Sequence, residues 1–427
     1  MLLNCRQKIS LPGLGFKVNI MRICLAQTKS EKGKVQVNIE NHLALIRRAI
    51  ILNSDLIIFP ELSITNYEPQ LAPELAADLD DPVFKPFQAI SDKHQIAIGV
   101  GMPTKAEKGI NISMLIFQPF KKRIVYGKHL LHSDEIPYFT SSDKQPFLEI
   151  REKKVALGIC YETLQREHFI QAVENNADIF IASVSKPNRG TEKAFSHFPS
   201  MAKEFQIPVL MSNAVGPSDD FISNGLSSVW NEKGELLAQL TKEDQGLLVY
   251  SSDTNLTEVD QPLIVKAQLS DLEELFQIYL NAKKDLERNG IFQWVDTYPT
   301  RAILESDLKK GVLFKLQNGT EIIGAINISE EQEKAYGSID WKFDDSKVLV
   351  IHRLVINPKH QRKGYAQELM LFAENLAENK NYRSIRLDAY SVNRRVIEFY
   401  KKRNYHVRGE VTFPKREFVF FCMEKEV

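Results

Sequence analysis

Cysteine is scarce in this chain of 427 residues: there are four, Cys5, Cys24, Cys160 and Cys422, and no two form a C-x-x-C pair. That spacing argues against a thiolate zinc site and against a disulfide scaffold, and no metal is implied; it fits reduced thiols in the cytoplasm. Net charge is missing too, since 55 basic residues balance 55 acidic ones. No electrostatic argument therefore favours nucleic acid or a membrane surface as partner. No run approaches the roughly 18 apolar residues of a membrane span. The opening "MLLNCRQKISLPGLGFKVNI" lacks the continuous apolar core of a secretory leader. Internal repeats and low-complexity tracts are absent. An apolar content of 43% with 26% charged residues describes an ordinary globular composition, and the length suggests two or three domains.

What is present is an alternation of strand-like and helix-like segments. The first strand-like stretch, "MRICLAQ", begins at Met21. Residues 1–20 are therefore expected to be a disordered extension, or to precede a translation start at Met21. Ile39, Leu43, Ile46 and Ile50 recur at helical spacing. "DLIIFPE", "IAIGVGMP", "KVALGIC", "DIFIASVS" and "PVLMSNAVG" read as buried strands, and "LSSVWNEKGELLAQL" as a hairpin turning at Lys233-Gly234. The pattern changes across the polar stretch "SSDTNLTEVDQPLI", which predicts a linker at 254–263 between a domain at 21–253 and a second at 264–427.

Three polar residues end three strand-like runs in the first domain: Glu61 after "LIIFP", Lys128 after "RIVYG" and Cys160 after "VALGI". Strand ends are where an open α/β sheet gathers reactive groups. Each residue alone has a plainer role: a packed thiol, a helix cap or a solvated loop charge. Together their chemistry is coherent. A thiolate can attack a carbonyl or nitrile carbon. A carboxylate can take the thiol proton and later activate water. A fixed ammonium can stabilise the oxyanion and favour the thiolate. A Cys–His pairing is the competitor, with His129, His132, His168 and His197 available, but none stands in a recognisable dyad context.

These blocks resemble the carbon–nitrogen hydrolase, or nitrilase, superfamily over about Met21 to Asp253. "DLIIFPELSITNY", "YGKHLLHSDEIPYFTSSD" and "KVALGICYET" occur in order, followed by "PVLMSNAVG" and "NGLSSVWNEKGELLA". The resemblance implies Glu61 as general base, Lys128 as the stabilising cation and Cys160 as nucleophile. It implies Glu135 as a second, positioning glutamate, and the Tyr161 N–H as an oxyanion donor. Tyr161-Glu162-Thr163 is expected to line the pocket mouth. "YETLQREHFIQ" and "KPNRGTEKAFSHF" depart from the family's usual runs, so the substrate is not read from them.

The last third carries "LVINPKHQRKGYAQELM", a strand, a loop and a helix start. Backbone N–H groups at a helix N-terminus form an anion site, and Gly364 lets the chain approach a phosphate closely. With "SVNRRVIEFYKKRNYHVRGE" downstream, the region from about Leu263 resembles the GNAT, or Gcn5-related, N-acetyltransferases. That resemblance implies acetyl-CoA as cosubstrate. Its pyrophosphate would lie on Gln361, Arg362, Lys363, Gly364, Tyr365 and Ala366, and its pantetheine arm along Leu354, Val355 and Ile356. Asn393 would contact the cofactor, and Tyr400 would protonate the departing thiolate. A core aromatic is the plainer role for Tyr400.

The expected fold is α/β: an N-terminal four-layer α-β-β-α sandwich, then a mixed α/β GNAT fold splayed where coenzyme A enters. The expected function is bifunctional, hydrolysis of a small-molecule amide or N-carbamoyl bond and acetylation of an amine. The alternative makes the second domain a non-catalytic acetyl-CoA sensor. The resemblance also implies a homodimer or larger assembly.

Overall fold

The computed structural model describes residues 20–343 and 347–427. Apart from Ile20, the 1–20 extension lies outside the described residues. Two compact units divide between Gln261 and Pro262.

The first unit has two facing sheets. The seven-stranded sheet runs in the order Leu256–Asp260, Gly246–Ser251, Arg22–Gln27, Leu56–Ile58, Ala97–Ala106, Gly109–Phe117, Ile124–Gly127. The six-stranded sheet runs Leu236–Gln239, Ser228–Trp230, Val209–Asn213, Ile179–Val184, Lys153–Ile159, Leu148–Ile150. Side chains alternate across a strand, so each strand serves two layers. Ile23 and Leu25 point between the sheets, against Leu157, Ile159, Ile181 and Leu210. Their neighbours Cys24 and Ala26 point outward, onto Ile39, Leu45 and Ile46 of helix Val35–Ile51 and Phe87 of helix Lys85–His94. On the far side Ala156, Phe180, Ala182 and Met211 pack against Phe169 and Phe198 of helices Arg166–Glu174 and Asn188–Phe205. The layers are therefore α-β-β-α, as expected.

Most of the stretch at 254–263 is strand, and the division between the two units falls within it, after Gln261. Leu256–Asp260 pairs antiparallel with Gly246–Ser251 as an edge strand. Leu263–Lys266 opens the sheet of the second unit. The polarity that suggested a linker belongs to an edge strand that exposes most of its side chains. Its one buried end, Asp260, holds the buried Arg48 at 2.8 Å.

The second unit is a seven-stranded mixed sheet in the order Leu263–Lys266, Leu313–Asn318, Glu321–Ser329, Val348–Ile356, Ser384–Tyr390, Phe420–Glu426, His406–Val411. Its one parallel pairing joins Val348–Ile351 to Ser384–Leu387. Beyond Ile351 these two strands part. Leu354, Val355 and Ile356 pair only with Ile326, Ala325 and Gly324 on the other side. Helices Leu272–Arg288 and Arg301–Lys310 cover one face through Leu275, Ile278 and Leu304. Helices Tyr365–Asn379 and Arg394–Lys401 cover the other through Leu369, Met370, Ala373 and Ile397.

Candidate active sites

Strand Leu56–Ile58 is short because Pro60 cannot donate to a ladder. The chain then turns sharply, with Leu62 at φ +49°. Gly101, on the neighbouring strand, makes room for that turn: a Cβ there would lie 2.3 Å from the Leu62 nitrogen and 2.5 Å from the Pro60 oxygen. Glu61 is thereby aimed into the interior, where its side chain is fully buried. We expect Gly101→Ala to push the Glu61 loop aside and lower turnover at any reaction that uses Glu61 by about 100-fold, since a misplacement near 1 Å costs that much. Steady-state ammonia release, with circular dichroism to confirm folding, checks this.

Lys128 follows strand Ile124–Gly127 directly. Its ammonium lies 2.8 Å from Glu61 Oε1 and 2.6 Å from Glu135 Oε1, and none of the three side chains reaches solvent appreciably. Glu135 is fixed in turn by the Tyr67 hydroxyl at 3.0 Å and the His132 N–H at 2.8 Å. Among the described residues no nitrogen or oxygen donor reaches the second oxygen of Glu61, Oε2, while the Cys160 thiol is close enough to stabilise the carboxylate. Burial alone would lower the Lys128 ammonium, but the two carboxylates outweigh it and hold its pKa above the usual lysine range. Burial raises the Glu61 carboxyl, Lys128 opposes the rise and Glu135 adds to it.

Cys160 closes strand Lys153–Ile159 and sits at φ +47°. That left-handed conformation costs a side-chain-bearing residue about 1–2 kcal/mol, and such strain concentrates at functional sites. The elbow is held from inside. The Thr163 hydroxyl donates to the Cys160 carbonyl at 2.6 Å. The buried Glu162 carboxylate accepts from the Ile159 N–H at 2.8 Å, the Tyr126 hydroxyl at 2.7 Å and the His129 N–H at 2.8 Å. Glu162 thus ties the cysteine turn to the lysine loop. Of the three residues expected at the pocket mouth, only Tyr161 is exposed; Glu162 and Thr163 are buried because the turn needs their polar atoms. Burial and then the charge of Glu61 push the Cys160 thiol up to about 11, with Lys186 and Lys128 pulling against them.

Lys186 escaped the sequence reading. It is buried, two residues past strand Ile179–Val184, with its ammonium 3.7 Å from Cys160 Sγ. The strand-end rule that picked out the other three residues applies to it equally. Among the described residues no histidine hydrogen-bonds Cys160; His132 stacks edge-on against Tyr161 and His168 meets Tyr126 at 2.9 Å.

In the second unit, Arg362 and Gly364 adopt left-handed φ values of +66° and +92°, and Gly364 caps helix Tyr365–Asn379. A helix N-terminus favours an anion through its dipole and its outward-pointing N–H groups. The loop Gln361–Ala366 and the one-sided strand Leu354–Ile356 therefore offer donors and an open edge that fit a pyrophosphate and a pantetheine arm. Asn393 caps helix Arg394–Lys401 by accepting from the Val396 N–H at 3.4 Å. Its amide donates to Gln293 at 3.1 Å. Tyr400 is buried among Ile397, Tyr405 and Leu387. Burial, then the charge of Asp388, raises its hydroxyl above the tyrosine range, so it carries its proton. Asp388 itself was missed. It lies one residue past the last parallel pair, Ile351 with Leu387, where the strands part. It faces away from Leu387 and Ala389, toward the Tyr336 hydroxyl at 2.7 Å. Burial pushes its carboxyl up to about 6. The Tyr336 hydrogen bond, Arg416 and Arg353 oppose the rise, and Glu333 adds to it.

The four-layer sandwich with a thiol, two carboxylates and an ammonium at its strand ends defines the first unit as nitrilase-fold. The carbon–nitrogen hydrolase family profile matches residues 22–261, more than half of the chain, and the acetyltransferase (GNAT) family profile matches residues 272–405. The chain belongs to the carbon–nitrogen hydrolase family and carries a GNAT domain after it. A glutamine-dependent NAD(+) synthetase of Synechocystis sp. is 25% identical over 289 residues, 60% of this chain and 50% of that protein. A probable nitrilase of Schizosaccharomyces pombe is 27% identical over 210 residues, 47% of this chain and 76% of that protein. The chain spans about half the length of the synthetases it matches. An amidase from Nesterenkonia sp. AN1, solved with acrylamide, shares the fold with a TM-score of 0.52 at 22% identity, over 57% of this chain and 94% of that one.

Proposed function

We propose that the first unit hydrolyses a small-molecule amide or N-carbamoyl bond through a Cys160 thioester, and that the second acetylates an amine with acetyl-CoA. The observation that carries the first part is the buried cluster of Glu61, Lys128 and Glu135 beside a cysteine held at φ +47°. Glutamine-dependent synthetases among the relatives support a carboxamide substrate, while a probable nitrilase is also among them. Glu61 accepts the Sγ proton as the sulfur attacks the carbonyl carbon. Lys128 and the Tyr161 N–H stabilise the oxyanion. The C–N bond breaks, Glu61 returns its proton to the leaving nitrogen, and the thioester forms. Glu61 then takes a proton from water, which hydrolyses the thioester and frees the thiol.

In the second unit Asp388 takes the proton of the acceptor amine. The amine nitrogen attacks the thioester carbonyl of acetyl-CoA, and Tyr400 protonates the coenzyme A thiolate that leaves. Asp388 and Tyr400 approach the point where the strands part from opposite faces of the sheet, which supports these paired roles. Acetyl transfer is expected to fall as pH drops through about 6, where the Asp388 carboxylate takes up its proton. Asp388→Asn should remove that acid limb and lower kcat/KM by roughly 100- to 1,000-fold. Thiol release from acetyl-CoA with a panel of primary amines, followed from pH 5 to 9, measures both. The same assay distinguishes a catalytic domain from a sensor, which would release no thiol while altering ammonia release from the first unit.

A further inference from the structure

The stretch "SVSKPNRG" places a lysine beside the candidate nucleophile. Lys186 is about 4% exposed, and its ammonium lies 3.3 Å from the Cys160 carbonyl oxygen and 3.7 Å from Cys160 Sγ. Its backbone is clamped: the N–H donates to Asn213 Oδ1 at 2.8 Å, and the carbonyl accepts from the Asn224 N–H at 2.8 Å. Among the described residues no carboxylate forms a salt bridge with it, although a buried charge is stable only when paired. The group within reach of its ammonium that can gain a negative charge is the Cys160 sulfur.

We propose that Lys186 is a second ammonium of the hydrolase site, which holds the Cys160 thiolate. The proposal rests on Cys160 being the nucleophile. The groups facing Cys160 come from three loops: Glu61 after Leu56–Ile58, Lys128 and Glu135 after Ile124–Gly127, and Lys186 after Ile179–Val184; Tyr67 also feels its charge. Glu61 and Glu135 bring two negative charges and Lys128 one positive. Lys186 supplies the second positive charge, so the resting thiol sits in a balanced cluster. When the proton moves from Sγ to Glu61, one negative charge leaves the carboxylate and one appears on sulfur, and the balance is kept. Without Lys186 the thiolate would form in a cluster already carrying an excess negative charge. Lys186 is also the strongest of the groups that pull the thiol's pKa downward.

Alkylation of the full-length protein tests this without knowledge of the substrate. Iodoacetamide and iodoacetate are reacted from pH 6 to 10, and mass spectrometry quantifies the label on Cys160. Across this range the thiol lies below its midpoint and labelling follows the thiolate fraction, so Lys186→Met is expected to displace the rising limb of the pH–rate profile up by at least about one unit and slow labelling at pH 7.5 about tenfold. It should also abolish any preference for the anionic reagent. Lys186→Arg keeps the charge and should stay within about half a unit of wild type; it serves as the charge comparison if Lys186→Met melts early. Superimposed pH–rate profiles for wild type and Lys186→Met, with Cys160 labelled in both, would overturn the role of Lys186 alone. Folded wild type that never labels at Cys160 would overturn the nucleophile assignment and this proposal with it.

Discussion

Cys160→Ala protein is expected to release ammonia at least about 10⁴-fold more slowly than wild type while remaining folded. Removing a covalent nucleophile leaves only what binding and the oxyanion donors supply, and comparable knockouts elsewhere cost that much or more. The fold should tolerate the change. Alanine has no sulfur to desolvate, and the turn is held by Glu162 and Thr163 through backbone groups that the substitution keeps. The strained φ of +47° remains, because alanine carries the same Cβ. The measurement is ammonia release from a series of short primary amides and N-carbamoyl amines, run beside turnover of a metabolite extract. If wild type and variant consume the same compounds at the same rates, Cys160 is not the nucleophile. Covalent trapping gives a second reading: wild type should acquire the acyl mass of a slow amide, and the variant should not.

Lys128→Met should destabilise the first unit by about 3–5 kcal/mol, the usual consequence of breaking a buried ion pair. It strands Glu61 and Glu135 together in the interior with their shared cation gone. The cost is pH-dependent, and its sign follows from the Glu61 shift. Glu61 already titrates above its ordinary value in the folded protein because of burial, with Lys128 holding it down. Losing Lys128 raises it further. A carboxyl whose folded pKa exceeds its unfolded one binds more protons when folded, so the fold gains stability as pH falls through that window. The gap in stability between Lys128→Met and wild type should therefore be widest near pH 8 and shrink toward pH 5. Urea titrations at a series of pH values measure it. A gap that is constant or widens on acidification would mean that the carboxylates are not buried against Lys128.

Most of the architecture was legible in the chain. Unbroken apolar runs in "MRICLAQ" and "KVALGIC" announce strands buried on both faces, and the spacing of Ile39, Leu43, Ile46 and Ile50 announces the helix that covers the first of them. Glu61, Lys128 and Cys160 were readable as polar residues closing apolar runs. The edge strand Leu256–Asp260 was not, since its exposed face is as polar as a loop and only pairing with Gly246–Ser251 makes it a strand. Asp388 was hidden for a different reason. A single carboxylate inside "SIRLDAY" carries no local signal, and its meaning comes from the neighbouring strand turning away one residue earlier.

By itself the sequence determined two α/β domains and the chemical types gathered at their strand ends, because burial periodicity and strand termini are local properties of a chain. Only the tertiary structure decided which charges meet. That Lys128 is shared by two carboxylates, that Glu162 turns inward to brace the cysteine elbow, and that Lys186 arrives beside the sulfur all depend on strands far apart in the chain ending at one place. Electrostatic interaction falls off over a few ångströms, so it follows distance in space rather than order in sequence.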